Sequence, residues 1–159
     1  MAETATSVLQ LVDSATRLVD RLGNFLNNTG EAPENLRETK FQLPLLISTL
    51  QQIRVDIEQG VYTDSTSSAL QKLFDACMAD VSRVEDLLAQ VTPHADTKWK
   101  RMRRAISGLK YDKEIRSIGS RFSRYIQSLL LLQTAVSGNT LREIKTTERA
   151  LLPPVLSSE

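Results

Sequence analysis

The sequence predicts an all-α fold, an antiparallel helical bundle of four long helices plus a short one, on three observations. Apolar residues recur at three- and four-residue spacing along most of the chain, and no stretch alternates in the manner of a strand. Helix breakers are few, with six Gly and five Pro in 159 residues. A chain of this length, 41% hydrophobic and 25% charged, buries a core as one domain without disulfides or metals.

The first helix is expected over Thr4–Asn28, where Val8, Leu11, Val12, Ala15, Leu18, Val19, Leu22, Phe25 and Leu26 form one stripe between Asp13, Arg17, Asp20 and Arg21. Asn27, Asn28, Thr29 and Gly30 supply turn chemistry and a stop. The second begins at Pro33, carries Leu36, Leu43, Leu46, Ile47, Leu50, Ile53 and Ile57 inward, and ends at Gly60. Pro44 falls inside it. Loss of one backbone hydrogen bond and the clash of its ring cost about 3 kcal/mol, which predicts a kink or local break near Lys40 to Leu43 in a helix that keeps its phase.

Asp64 and Ser65 are expected to cap the third helix, whose stripe runs from Leu70 through Leu73, Phe74, Cys77, Val81, Val84, Leu87 and Leu88 to Val91, before Pro93. A short helix then carries TKWKRMRRAISGL. The last follows Asp112 with Ile115, Ile118, Phe122, Tyr125, Ile126, Leu129, Leu132 and Val136 inward, until Gly138 stops it. Residues 1–138 therefore make one helical domain, and 139–159, with Pro153 and Pro154, a tail or linker. Helices of about 25 residues are about 37 Å long and suit an antiparallel bundle.

Charge is segregated although the net charge is +1. Residues 1–95 hold seven basic and thirteen acidic side chains, 96–125 ten and three, and 126–159 three of each. A single cysteine, Cys77, rules out an intrachain disulfide and suits a reducing, cytoplasmic setting. The first residues lack the basic cluster of a secretory signal. The longest charge-free run, Tyr125 to Leu141, is too polar for a lone membrane span.

Catalytic chemistry lacks its parts. The one histidine, His94, follows Pro93 in an expected turn with no second metal ligand nearby, and Cys77 lies on an apolar stripe, where a thiol packs as a small hydrophobe. There is no glycine-rich phosphate loop, no Gly-x-Ser-x-Gly elbow and no HExxH pair. Glu85 and Asp86 are adjacent on a helix and point apart. The expectation is a non-enzyme with no cofactor and no metal.

The most distinctive chemistry is the basic run Lys98, Lys100, Arg101, Arg103, Arg104 and Lys110, continued by Lys113 and Arg116 around Trp99. It suits anionic lipid headgroups, nucleic acid phosphates, or the acidic face of the chain's own first three helices. Nucleic acid is the weakest of these, because no groove-reading motif accompanies the run.

Taken in order, several motifs resemble a known family. The amphipathic first helix is followed by EAPENLRETKFQLPLLISTL, with Pro-Glu-x-Leu-Arg-Glu and Leu-Pro-Leu-Leu-x-x-Thr-Leu elements and a proline at the position of Pro44. Then come WKRMRRAI, DKEIRSI and YIQSLLLLQ. Over residues 5–137 this resembles the N-terminal helical domains, of the SesA and HeLo-like class, of fungal STAND receptors with NACHT or P-loop NTPase regions. The resemblance implies a signalling or effector head before a nucleotide-binding oligomerisation module, acting in programmed cell death and self/non-self recognition (heterokaryon incompatibility). It makes the first helix the candidate effector and Pro44 a fixed structural kink.

Two functions are thereby expected. In the first, Val8, Leu11, Val12, Leu18, Leu22 and Phe25 pack as core at rest and leave the bundle to engage membrane or another copy, with Gly23 and the turn after it as a hinge. In the second, the chain is a structural adaptor making homotypic or heterotypic protein contacts. Expected partners are other protein domains, a second copy, anionic lipids, and an NTPase region in the same or a partner chain.

Overall fold

The computed structural model describes residues 2–28, 34–91 and 97–152, without the side chains of residues 2, 28, 91, 97–110 and 140. They form four helices, α1 (Ala2–Asn28), α2 (Glu34–Glu58), α3 (Asp64–Val91) and α4 (Thr97–Leu151). The all-α bundle is the fold that the sequence predicts.

Each helix enters the core along a seam with alternating three- and four-residue steps. Val8, Leu11, Ala15, Leu18 and Leu22 line α1, and Leu36, Thr39, Leu43, Leu46, Leu50, Ile53 and Ile57 line α2. Leu70, Phe74, Cys77, Val81, Val84 and Leu88 serve α3, and Ile115, Ile118, Phe122 and Leu129 serve α4. A repeat averaging 3.5 residues keeps one face turned inward over many turns and favours shallow, coiled-coil-like crossings. The buried Thr39 and Thr49 bond the carbonyls of Asn35 and Leu45, both at 2.8 Å, so neither hydroxyl is stranded in the core.

Among the described residues α1 packs on α2 and α3, and α4 packs on the same two helices, so α1 and α4 are diagonal, as are α2 and α3. Gln71 bonds Ser7 near the starts of α3 and α1, so these neighbours run parallel. Asn35 bonds Asp112 and Gln42 bonds Ser123, which makes α2 and α4 parallel as well. Asp80 meets Arg121 while Arg83 meets Glu114, so α3 and α4 are antiparallel. Consecutive helices thus alternate in direction, and the diagonal crossing from α2 to α3 creates the two parallel contacts.

That crossing has tight chemistry at both ends. Gly60 takes a φ of 69°, and the amides of Gly60 and Val61 donate to Ile57 O and Asp56 O at 3.0 and 3.1 Å, closing the end of α2. Helix α3 is capped by Thr63, whose Oγ1 accepts from the Thr66 amide at 3.3 Å. The expected cap at Asp64 or Ser65 is thus one or two residues late; Asp64 instead sits in the first turn, where the helix dipole favours a carboxylate.

Two further expectations change. The short helix expected over 97–109 is the start of α4, not an element of its own. Gly138 does not stop α4, which continues to Leu151, because an interior glycine costs only about 1 kcal/mol and LREIKTTERAL restores helical propensity after it. The single helix keeping its phase through Pro44 is found as expected: α2 is continuous, with Pro44 on its exposed side and the buried seam unchanged in phase across it. The expected turn at Thr29 and Gly30, the start at Pro33, and Pro93, His94, Pro153 and Pro154 lie outside the described residues.

Candidate functional site

The candidate effector stripe is the heart of the core. Val8, Leu11, Leu18 and Leu22 have no exposed surface, and Val12 and Phe25 are partly buried against the same cluster. In this conformation four of the six stripe residues are closed to a membrane, and only Val12 and Phe25 keep some exposed surface. Cys77 is likewise buried, and its thiol is pushed up to about 12, by burial first and by the neighbouring Asp80 second. At neutral pH it is a packed thiol, not a nucleophile.

Lys98, Lys100, Arg101, Arg103, Arg104 and Lys110 lie along the first part of α4, but their side chains, like that of Trp99, are outside the described set. Beyond them, part of the basic segment is engaged within the protein. Arg121 reaches across to α3 and holds Asp80 through two bonds of 2.9 Å, from Nε to Oδ2 and from Nη2 to Oδ1. Tyr125 donates to the same carboxylate at 2.6 Å. Arg83 of α3 grips Glu114 of α4 with Nε and Nη2. Arg116 pairs with Asp112 on its own helix at 3.5 Å.

Asp80 is therefore the hub of a polar seam between α3 and α4, and no motif search singles it out. A carboxylate on the buried side of a helix, one turn after Cys77 and one turn before Val84, is its faint sequence signal. The seam shifts its members. Burial and then the bond to Asp80 push the Tyr125 phenol up. The bond to Arg83 holds Glu114 below the ordinary carboxylate range, and the bond to Asp80 raises Arg121 further. These groups hold two helices together.

A second missed feature is the outer side of α2. Phe41 is 79% exposed, Leu45 53% and Val55 42%, and no charged residue occurs from Phe41 to Ile53. Its signal lay in the spacing, since Phe41 and Leu45 fall opposite Leu43, Leu46 and Leu50. Beyond the bundle, Leu141, Ile144 and Leu151 are exposed on the projecting end of α4.

Among the described residues there is no group of His, Cys, Asp and Glu that could hold a metal ion. A polar groove of about 240 Å³ separates α2 from α4, lined by Asn35, Glu38, Gln42, Arg116, Ser120 and Ser123 among others. Among the described residues no helix is long and apolar enough to cross a membrane.

A family model, SesA, described as the N-terminal domain on NACHT_NTPase and P-loop NTPases, matches residues 5–129. The match runs from the start of α1 to Leu129, the last fully buried residue of α4. Searches of curated proteins and of solved structures return no match.

Proposed function

Because the chain belongs to the SesA family of N-terminal domains on NACHT and P-loop NTPases, we propose that it is a non-catalytic signalling head that passes on the state of an NTPase region. The observation that carries this reading is the family match over the whole bundled part of the chain, from α1 to the buried end of α4. Helix α4 supports it mechanically: it runs unbroken from the polar seam with α3, past Gly138 and out of the bundle to Leu151. A continuous helix transmits displacement where a flexible tail would absorb it.

The proposal extends to a fungal cell-death role in the cytoplasm, with recruitment to membrane on activation. Anionic lipid would be met by Lys98, Lys100, Arg101, Arg103, Arg104 and Lys110, and α1 would insert once released. Energetics sets a condition on that release. Exposing Val8, Leu11, Leu18 and Leu22 to water costs about 1.5–3 kcal/mol each, in total comparable to the 5–15 kcal/mol stability of a typical domain. Lipid or protein must therefore receive the stripe as it leaves. The same burial favours the adaptor reading for the resting chain, in which the bundle stays closed and only its surface makes contacts.

Co-sedimentation with neutral and with anionic vesicles at two salt concentrations, with dye release from the same vesicles, separates the two readings. The effector reading expects salt-sensitive binding to anionic vesicles with leakage, both weakened by Arg101→Gln, Arg103→Gln and Arg104→Gln combined. A chain that stays in the supernatant under every condition supports the adaptor.

A further inference from the structure

Helix α4 is longer than the bundle it belongs to. Tyr111 bonds Gln90, one residue before α3 ends at Val91, and Asp112 bonds Asn35, one residue after α2 begins at Glu34. The helix nevertheless begins at Thr97, so residues 97–110 continue about 20 Å past the ends of both helices on which α4 packs. The apolar register turns over at the same place. Within the bundle α4 buries Leu129, Ile126, Phe122, Ile118 and Ile115, and the same three- and four-residue steps carried back fall on Tyr111, Gly108, Arg104 and Arg101. Trp99, Met102, Ile106 and Leu109 form a separate stripe about half a turn away. A helix that lengthened the core would carry apolar residues, not Arg101 and Arg104, in that register.

The charge of this stretch has one sign. Between Asp96 and Asp112 the charged residues are Lys98, Lys100, Arg101, Arg103, Arg104 and Lys110, all basic. By helical register Lys98 and Arg101 fall on one flank of the apolar stripe, Lys100, Arg103 and Lys110 on the other, and Arg104 opposite it. The acids at this end of α2 and α3, Glu34, Glu38, Glu85 and Asp86, stand on the bundle side of the overhang.

We infer that residues 97–110 are an in-plane membrane anchor, a helix lying on an anionic lipid surface with Trp99, Met102, Ile106 and Leu109 sunk to the acyl chains and the flanking cations at the headgroup phosphates. A flat anionic surface meets the stripe and both cationic flanks at once. Nucleic acid would take the charge and leave the apolar stripe in water, and a second copy of the same segment would bring like charges together. This anchor rests on the membrane part of the function proposed above and deepens it, because first contact passes to α4 and the bundle stays closed with α1 in its core.

Trp99 is the only tryptophan in the chain, so its fluorescence reports this stretch alone. Phosphatidylcholine vesicles with and without phosphatidylserine are titrated into the whole chain. Anionic vesicles should shift Trp99 emission to the blue and let brominated acyl chains quench it, less so at high salt, while amide exchange shows α1 still protected. Ile106→Asp and Ser107→Asp change the charge equally, one within the stripe and one outside it. Ser107→Asp should weaken binding about fivefold, and Ile106→Asp, which also loses apolar contact, about fiftyfold or more, with thermal unfolding unchanged in both. No binding to anionic vesicles overturns the anchor and leaves the signalling-head reading standing on its family match. Binding that leaves Trp99 emission unmoved, equal losses in the two variants, or loss of α1 protection on first binding overturns it as well. So does an Ile106→Asp variant that unfolds, since the stripe would then be core, or a Trp99 shift produced by a single-stranded oligonucleotide and not by vesicles, which assigns the run to nucleic acid.

Discussion

At the scale of single residues the seam between α3 and α4 turns on Asp80, which is nearly buried and receives two bonds from Arg121 and one from Tyr125. Replacing it with Ala leaves a guanidinium and a phenol without their acceptor. Asp80→Ala is expected to cost about 2–3 kcal/mol in urea unfolding, and Tyr125→Phe about 1 kcal/mol, since Arg121 keeps its hold on Asp80 in that variant. Equal losses in the two variants would place the hub on Tyr125 instead. Cys77 was legible in the sequence because a thiol in register with Phe74 and Val81 has to face the core. Asp80 was not, because its partners lie 41 and 45 positions away, and spacing along one helix says nothing of the helix opposite.

At the scale of elements, two glycines expected to end helices behave differently. Gly60 adopts the left-handed backbone that closes α2, so Gly60→Ala should destabilise the protein by about 1 kcal/mol. Gly138 is an interior helical residue with nothing within 4 Å of where a Cβ would sit. Gly138→Ala should therefore strengthen α4 by up to about 1 kcal/mol, and Gly138→Pro should break it. Circular dichroism and thermal unfolding of the three variants check this; a loss of helicity in Gly138→Ala would mean that α4 needs flexibility there. In sequence the two sites look alike, each coming after a long apolar stripe. The residues beyond each glycine separate the outcomes: Tyr62 turns back into the core, bonded to Asp56 at 3.1 Å, whereas Leu141 to Leu151 continue a helical pattern.

At the scale of the whole molecule, stability should fall in alkali. The phenols of Tyr62 and Tyr125 and the thiol of Cys77 are all raised above their ordinary values, chiefly by burial. A raised value means that folding favours the protonated form, so the contribution is complete below about pH 9 and is lost as the pH climbs through about 9 to 12. Urea midpoints measured across that range should decline, and the decline should be shallower in Tyr125→Phe. Glu114, held low by Arg83, works in the opposite direction: its contribution is present at neutral pH and fades in acid, by little, because both partners are substantially exposed. Leu18→Ala, at the centre of the α1 seam, should cost about 2–5 kcal/mol and speed alkylation of Cys77 on the adjoining helix. An unchanged alkylation rate would show that Cys77 is reached through local motion rather than through opening of the bundle.

The sequence by itself determined the helical class, the inward face of each helix and the membership of most of the core, because helical periodicity is a local property that a few neighbouring residues express. The order of motifs along the chain likewise pointed to the family that the model of residues 5–129 establishes. Tertiary structure alone decided that, among the described residues, α1 lies diagonal to α4, that two of the four packed faces are parallel, and that Asp80 joins α3 to α4. Each of these depends on which helix packs beside which, a choice made by summed burial and long-range pairing across the whole bundle, and no local pattern encodes it.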